Sequence, residues 1–149
     1  MKKSAFTMIE LIFVIVVLGI LAAVAIPKLS ATRTDAQISK TKADIASLRS
    51  SIISERQGRL LQGESSYIGS LDSNVSNNTA DVLLFDAYGG ATLLMYGVTT
   101  KDANGHWLKT ATNQYTYKVD GNSILFTYLP ANGTFDCDHS NSYCKILTQ

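Results

Sequence analysis

The sequence predicts an α+β chain: a long N-terminal helix, with a transmembrane half and an amphipathic half, packed on a small antiparallel β-sheet. Three observations carry this. The run Leu11–Ile26 holds no charge. Ile38, Ile45 and Ile52 recur every seven residues, the spacing of one helix face. Beyond residue 105, short β-branched and aromatic runs alternate with polar residues and are broken by turn signals.

The first element follows from length. Phe6 to Ile26 is an apolar stretch whose one charged residue is Glu10, and at 1.5 Å per residue it reaches about 31 Å, the thickness of a bilayer core. Lys2 and Lys3 precede it, so the positive-inside rule places the N-terminus in the cytoplasm. A cleavable secretory signal is the rival reading, with "AVA" at Ala23–Ala25 as its cleavage site. Against it, the apolar run exceeds the usual 7–15 residues of such a signal. Glu10 has no role there either. A carboxylate at membrane depth costs roughly 2.5–3.5 kcal/mol on insertion scales and is usually partnered. No basic residue lies within the run. Cleavage before Phe6 would create an α-ammonium four residues from Glu10, able to meet it in its own chain or in a neighbouring helix.

The second element, residues 28 to about 57, is expected to be helical. Ala31, Thr41 and Leu48 lie near the isoleucine stripe, and Lys42, Arg49 and Arg56 form a second series spaced by seven. Glu55 can pair with Arg59 at i,i+4. No Pro or Gly occurs between Ala36 and Gln57, and Gly58 is the expected stop. This segment is basic, whereas from Leu60 onward eight acids face four lysines. Such asymmetry can orient subunits, although a solvated helix face and an acidic surface explain it equally.

The Ser- and Asn-rich text "GESSYIGSLDSNVSNNTADVL" reads as a long surface loop, and "DAYGGA" as a turn. "HWLKT", "QYTYKV" and "SILFTYL" then read as three strands of an antiparallel meander. Asp120-Gly121 is the hairpin turn between the last two. An irregular tail follows, holding Cys137 and Cys144. Their spacing matches no common zinc pattern and no second pair completes a four-ligand site. Behind an export-type N-terminus the pair is expected to form a disulfide worth roughly 2–3 kcal/mol, two free thiols being the alternative.

No catalytic constellation is present in the text. His106 and His139 are the only histidines, "GESSY" is not G-x-S-x-G, and no phosphate-binding glycine loop occurs. Trp107 and the seven tyrosines fall at strand spacing and read as core. The expectation is no enzyme, no cofactor and, with an acidic head, no nucleic-acid partner. Asn74 stands in an N-x-S sequon, and Asp72 two residues earlier resembles an extended bacterial acceptor motif. Asn77 and Asn132 match the simple sequon too, as Asn- and Ser-rich text readily does.

"KKSAFTMIELIFVIVVLGILAAVAIPKL" resembles the N-terminus of the type IV pilin family, including the pseudopilins of type II secretion (pseudopilin G-like). The resemblance implies a pilin-like fold. It also implies that a prepilin peptidase cuts between Ala5 and Phe6, where the family usually has Gly before the cut, and N-methylates Phe6. Glu10 would then be the docking carboxylate, and Gly19 and Pro27 would bracket a stretch that loosens during assembly. "ATRTDAQISKTKADIASLRSSI" is similar to the amphipathic half of a pseudopilin helix. The cysteine pair is similar to the disulfide-closed loop of type IV pilins. Major pseudopilins more often carry calcium in that region, for which Asn132, Asp136 and Asp138 are candidate ligands, against ordinary acidic surface residues.

The chain thus divides into a cleaved leader (1–5), a transmembrane and assembly helix (6–27) and a periplasmic head (28–149). The expected function is a subunit of a type II secretion pseudopilus, anchored in the bacterial inner membrane and polymerised into a helical homo-oligomer. Its partners would be prepilin peptidase, the inner-membrane assembly machinery and minor pilins. A type IV pilus subunit is the alternative. A binding domain, secreted or membrane-tethered, is the alternative of another class.

Overall fold

The computed structural model describes residues 7–86 and 93–149. The cleavage pair Ala5 and Phe6, and residues 87–91 of the expected turn, lie outside them. The elements are α1 (Met8–Leu61), β1 (Leu83–Leu84), β2 (Val98–Thr99), β3 (Trp107–Ala111), β4 (Gln114–Val119), β5 (Asn122–Leu129), β6 (Thr134–Cys137) and α2 (Ser142–Thr148). This is the expected α+β architecture, a long N-terminal helix followed by an antiparallel sheet. The chain forms two compact units, residues 1–35 and 36–149.

In the first unit every described side chain from Thr7 to Leu29 is exposed. The helix is long and apolar enough to cross a membrane. It continues through Gly19 and Pro27, so the loosening expected between them is absent from this state. Proline removes one N–H and leaves the Ala23 carbonyl without its i+4 donor, and the flanking turns remain helical.

In the second unit α1 continues past Gly58 to Leu61, which corrects the expected stop. A mid-helix glycine costs about 1 kcal/mol relative to alanine, too little to end a helix that Glu55 and Arg59 bridge at 3.7 Å. The stop is Gly63 at φ 86°. Its N–H bonds the Leu60 carbonyl at 3.1 Å, and the Glu64 N–H bonds the Arg59 carbonyl at 2.9 Å, a Schellman closure.

The main sheet has four antiparallel strands in the order β3-β4-β5-β6, one more than expected. The tail supplies β6, pairing Phe126 with Cys137 and Tyr128 with Phe135, and then α2. Alternation places Trp107, Tyr115, Tyr117, Val119, Ile124, Phe126, Tyr128 and Phe135 on the inward face, all buried. The β4–β5 turn is the one foreseen: Val119 pairs with Asn122 around Asp120 (φ 50°) and Gly121 (φ 73°), both left-handed as a type I′ turn requires. The α1 stripe covers the inward face through Thr41, Ile45, Leu48 and Ile52, all buried, with Ile38 partly so. The Tyr117 hydroxyl donates to the Gln37 carbonyl at 3.2 Å.

The expected surface loop is in fact partly core. Ile68 and Leu71 are fully buried, and the Tyr128 hydroxyl donates to the Ile68 carbonyl at 2.8 Å. Phe85 ends this segment at φ 58°, an unfavourable backbone for a bulky residue. Its ring is buried 5.5 Å from Trp107 and 5.0 Å from Tyr115, and aromatic packing of this kind offsets the strain.

Candidate assembly and processing site

Thr7 opens α1. Its backbone N–H donates to Glu10 Oε2 at 2.9 Å, its hydroxyl donates to the same oxygen at 2.7 Å, and the Glu10 N–H donates to Thr7 Oγ1 at 3.3 Å. This reciprocal arrangement is a capping box, with the acid at the third helical position. It satisfies otherwise orphaned N–H groups and sets negative charge at the positive end of the helix. The signature is present in the sequence as Thr7-Met8-Ile9-Glu10, the S/T-x-x-E spacing of a capping box. Part of the carboxylate's reason for being in an apolar run is therefore local.

Glu10 and Pro27 sit on one continuous helix with Gly19 between them. A Cβ built on Gly19 meets nothing within 4 Å, so no packing contact among the described residues requires glycine there. Lys28, Arg33, Lys40 and Lys42 follow the apolar run closely, against Lys2 and Lys3 before it. Basic residues therefore flank the apolar run on both sides.

Cys137 and Cys144 are disulfide-bonded, tying the end of β6 to α2. The candidate calcium ligands are each engaged by other groups of the chain. Asn132 Oδ1 accepts from the Thr134 N–H at 3.1 Å. Asp138 accepts from the Ser140 N–H at 2.9 Å and from the Ser140 hydroxyl at 2.8 Å, which hold its carboxyl below the usual range. Asp136 accepts from Arg49 at 3.0 Å and from the Cys137 N–H at 2.9 Å, with His139 Nε2 at 3.1 Å. Among the described His, Cys, Asp and Glu residues, the cluster with converging ligand atoms joins Asp136 to Cys137 and Cys144. Both of its sulfurs are spent in the disulfide, and Asp138 is not part of it.

Asn74 is exposed at φ 72°. The acid that would extend its sequon is not exposed with it. Asp72 is buried, accepting from Lys109 Nζ at 2.7 Å, the Tyr115 hydroxyl at 2.6 Å and the Val75 N–H at 2.9 Å. In the folded chain that carboxylate is unavailable to an acceptor-reading enzyme. A second buried acid, Asp44, accepts from Trp107 Nε1 at 3.1 Å and from the Tyr96 hydroxyl at 2.7 Å. Neither acid was anticipated as a core group. Lys109 offered the signal, because it stands two residues from Trp107 and so shares its inward face.

No curated protein and no solved structure shows a significant match to the chain. Residues 1–26 match the prokaryotic N-terminal methylation motif. That motif is a type IV pilin-like prepilin signal, and it supports the pilin and pseudopilin family in the broad sense.

Proposed function

We propose that the chain is a structural, non-catalytic subunit of a type II secretion pseudopilus. The observation that supports this is the methylation motif over residues 1–26, of which residues 8–26 belong to a helix apolar enough to span a bilayer. Residues 1–5 are the leader, removed by prepilin peptidase between Ala5 and Phe6, and Phe6 receives the methyl group. Residues 6–27 anchor the subunit in the inner membrane, N-terminus cytoplasmic, and residues 28–149 form the periplasmic head. The inner-membrane machinery, with minor pilins, extracts subunits into a helical filament.

Cleavage creates an α-ammonium one residue before the Thr7 cap. Glu10 then has a cationic partner to share between its own helix and a neighbour's. Exchange of lipid for protein neighbours brings little hydrophobic gain, so this pairing sets register. The open space at Gly19 suits the close approach of a second helix.

A type IV pilus is the second reading, favoured by the disulfide that closes the C-terminal segment. Mass spectrometry of the mature N-terminus tests the common core of both: a chain beginning at methylated Phe6 is expected. An N-terminus at Ile26 would instead mean a secreted domain, and an intact Met1 a tethered one. Deleting the gene then separates the two filaments, by loss of protein secretion or by loss of surface pili.

A further inference from the structure

Lys28 and Arg33 follow the last apolar residues of the span, Ile26 and Pro27. Both side chains are exposed, and among the described residues neither has a hydrogen bond or ion pair. In the second unit Arg49, Arg59, Lys109 and Lys118 each meet a carboxylate, while Lys40 and Lys42 are exposed but lie about 20 Å or more beyond Ile26, past the headgroup layer. At 1.5 Å per residue Lys28 lies about 3 Å and Arg33 about 10 Å beyond Ile26 along the axis, and about 140° apart around it. The polar layer outside the hydrocarbon core is roughly 5–8 Å deep on each side, and long basic side chains bend their charge toward it while their stems cover apolar surface. Thr32, between them, spends its hydroxyl on the Leu29 carbonyl at 3.0 Å, and Asp35 is the one acid nearby in the first unit.

We propose that Lys28 and Arg33 form a basic collar that recruits anionic phospholipid headgroups at the end of the membrane span. The inference rests on the reading of the apolar run as a span. Two cations on different sides of one helix, Lys28 at headgroup depth and Arg33 just beyond it with a side chain long enough to reach back, match a phosphate-bearing surface around the helix better than a single docked group. An anionic surface attracts each nearby Lys or Arg by roughly fivefold in partition. The collar gives the basic residues after the apolar run a use on lipid, distinct from the topological role of Lys2 and Lys3 before it.

The test is full-length chain reconstituted in phosphatidylcholine vesicles with trace spin-labelled phosphatidylglycerol or phosphatidylcholine. Electron paramagnetic resonance reads the motionally restricted fraction of each label. Phosphatidylglycerol is expected to be preferred, and the preference to fall by about twofold or more in K28Q/R33Q. K28R/R33K should keep it, and about 1 M salt, where the screening length is near 3 Å, should weaken it in the unaltered chain. An unchanged preference in K28Q/R33Q overturns the collar and moves the selectivity to the chain's other basic residues. Absence of any restricted component with either label overturns the span reading, and the collar with it.

Discussion

From Thr7 to Leu29 every described side chain is exposed, whereas from Thr41 to Ile52 the same element buries Thr41, Asp44, Ile45, Leu48 and Ile52. Hydrophobicity does not separate the two regions, since the exposed one is the more apolar. What separates them is pattern. A helix apolar all round has no preferred inner face and needs an external apolar medium, while a stripe at seven-residue spacing can be covered by one sheet. Acids are handled differently as well. Glu10 is satisfied by a residue three positions away, but Asp44 and Asp72 are satisfied from strands and loops distant in sequence. The first kind of contact fixes a helix start. The second fixes a tertiary fold.

The largest effect is expected at Asp72. Asp72→Asn leaves the Lys109 ammonium buried without its counter-charge, and breaking a buried pair costs about 3–5 kcal/mol. Urea unfolding of the detergent-solubilised chain, followed by Trp107 fluorescence, reads this. An apolar double replacement, Asp72→Leu with Lys109→Met, should recover much of the loss. Burial by itself would raise the Asp72 carboxyl, but hydrogen bonds from Lys109, Tyr115 and the Val75 N–H, with the ammonium's charge, hold it below its ordinary 3.8. Its contribution is therefore full above that value and lost as the pH falls below it through the lower folded value. A pH-independent midpoint between about pH 5 and pH 2 would contradict the assignment.

The same contrast explains what could be read from the text. Periodicity and turn chemistry are local, so the Ile38–Ile45–Ile52 stripe, the alternation Tyr115–Tyr117–Val119 and the Asp120-Gly121 hairpin were all legible. Strand β6 was not, because "TFDC" carries only Phe135 and a half-buried Cys137 on its inward face, too short an alternation to mark a strand, and its pairing with β5 is a long-range fact. The segment after Gly63 looked like surface because Ile68 and Leu71 stand alone among serines and asparagines. Asp72 was read for its sequon rather than as the partner that inward-facing Lys109 demands. At the N-terminus the reverse holds: the four-residue capping box Thr7-Met8-Ile9-Glu10 is a local signal, and it explains part of Glu10 without any distant partner.

A second test separates tertiary contact from backbone preference. Gly133 (φ 71°) and Gly121 (φ 73°) share a left-handed backbone. A Cβ on Gly133 would lie 2.2 Å from the Tyr67 ring, whereas one on Gly121 meets nothing within 4 Å. Gly121→Ala should cost about 1–2 kcal/mol for the backbone alone, and Gly133→Ala about 2–4 kcal/mol once the ring must move. Equal losses in urea unfolding would mean that Tyr67 yields freely, even though Arg56 bonds its hydroxyl at 2.6 Å and stacks 4.2 Å from its centre. A smaller effect is expected at Arg49, whose guanidinium donates to the Phe135 carbonyl and to Asp136, each at 3.0 Å. The pair is more than one-third exposed, so Arg49→Lys, which keeps the charge and loses the fork, should cost only about 0.5–1 kcal/mol.

Smallest of all, for stability, is Glu10. Because its partner is Thr7 alone among the described residues, Glu10→Gln and Glu10→Ala should both leave the urea midpoint of the second unit unchanged. Their difference lies elsewhere. Gln retains an acceptor oxygen for the Thr7 N–H and discards the charge, while Ala discards both. If the cap is what matters for assembly, Gln should form filaments and Ala should not. If pairing with a neighbour's ammonium matters, as the proposed function requires, both should insert in the membrane and both should assemble poorly. Filament yield by electron microscopy, beside an insertion assay, decides between a local and an intermolecular role for the same carboxylate. Normal assembly of the Gln variant would return Glu10 to the class of purely local contacts.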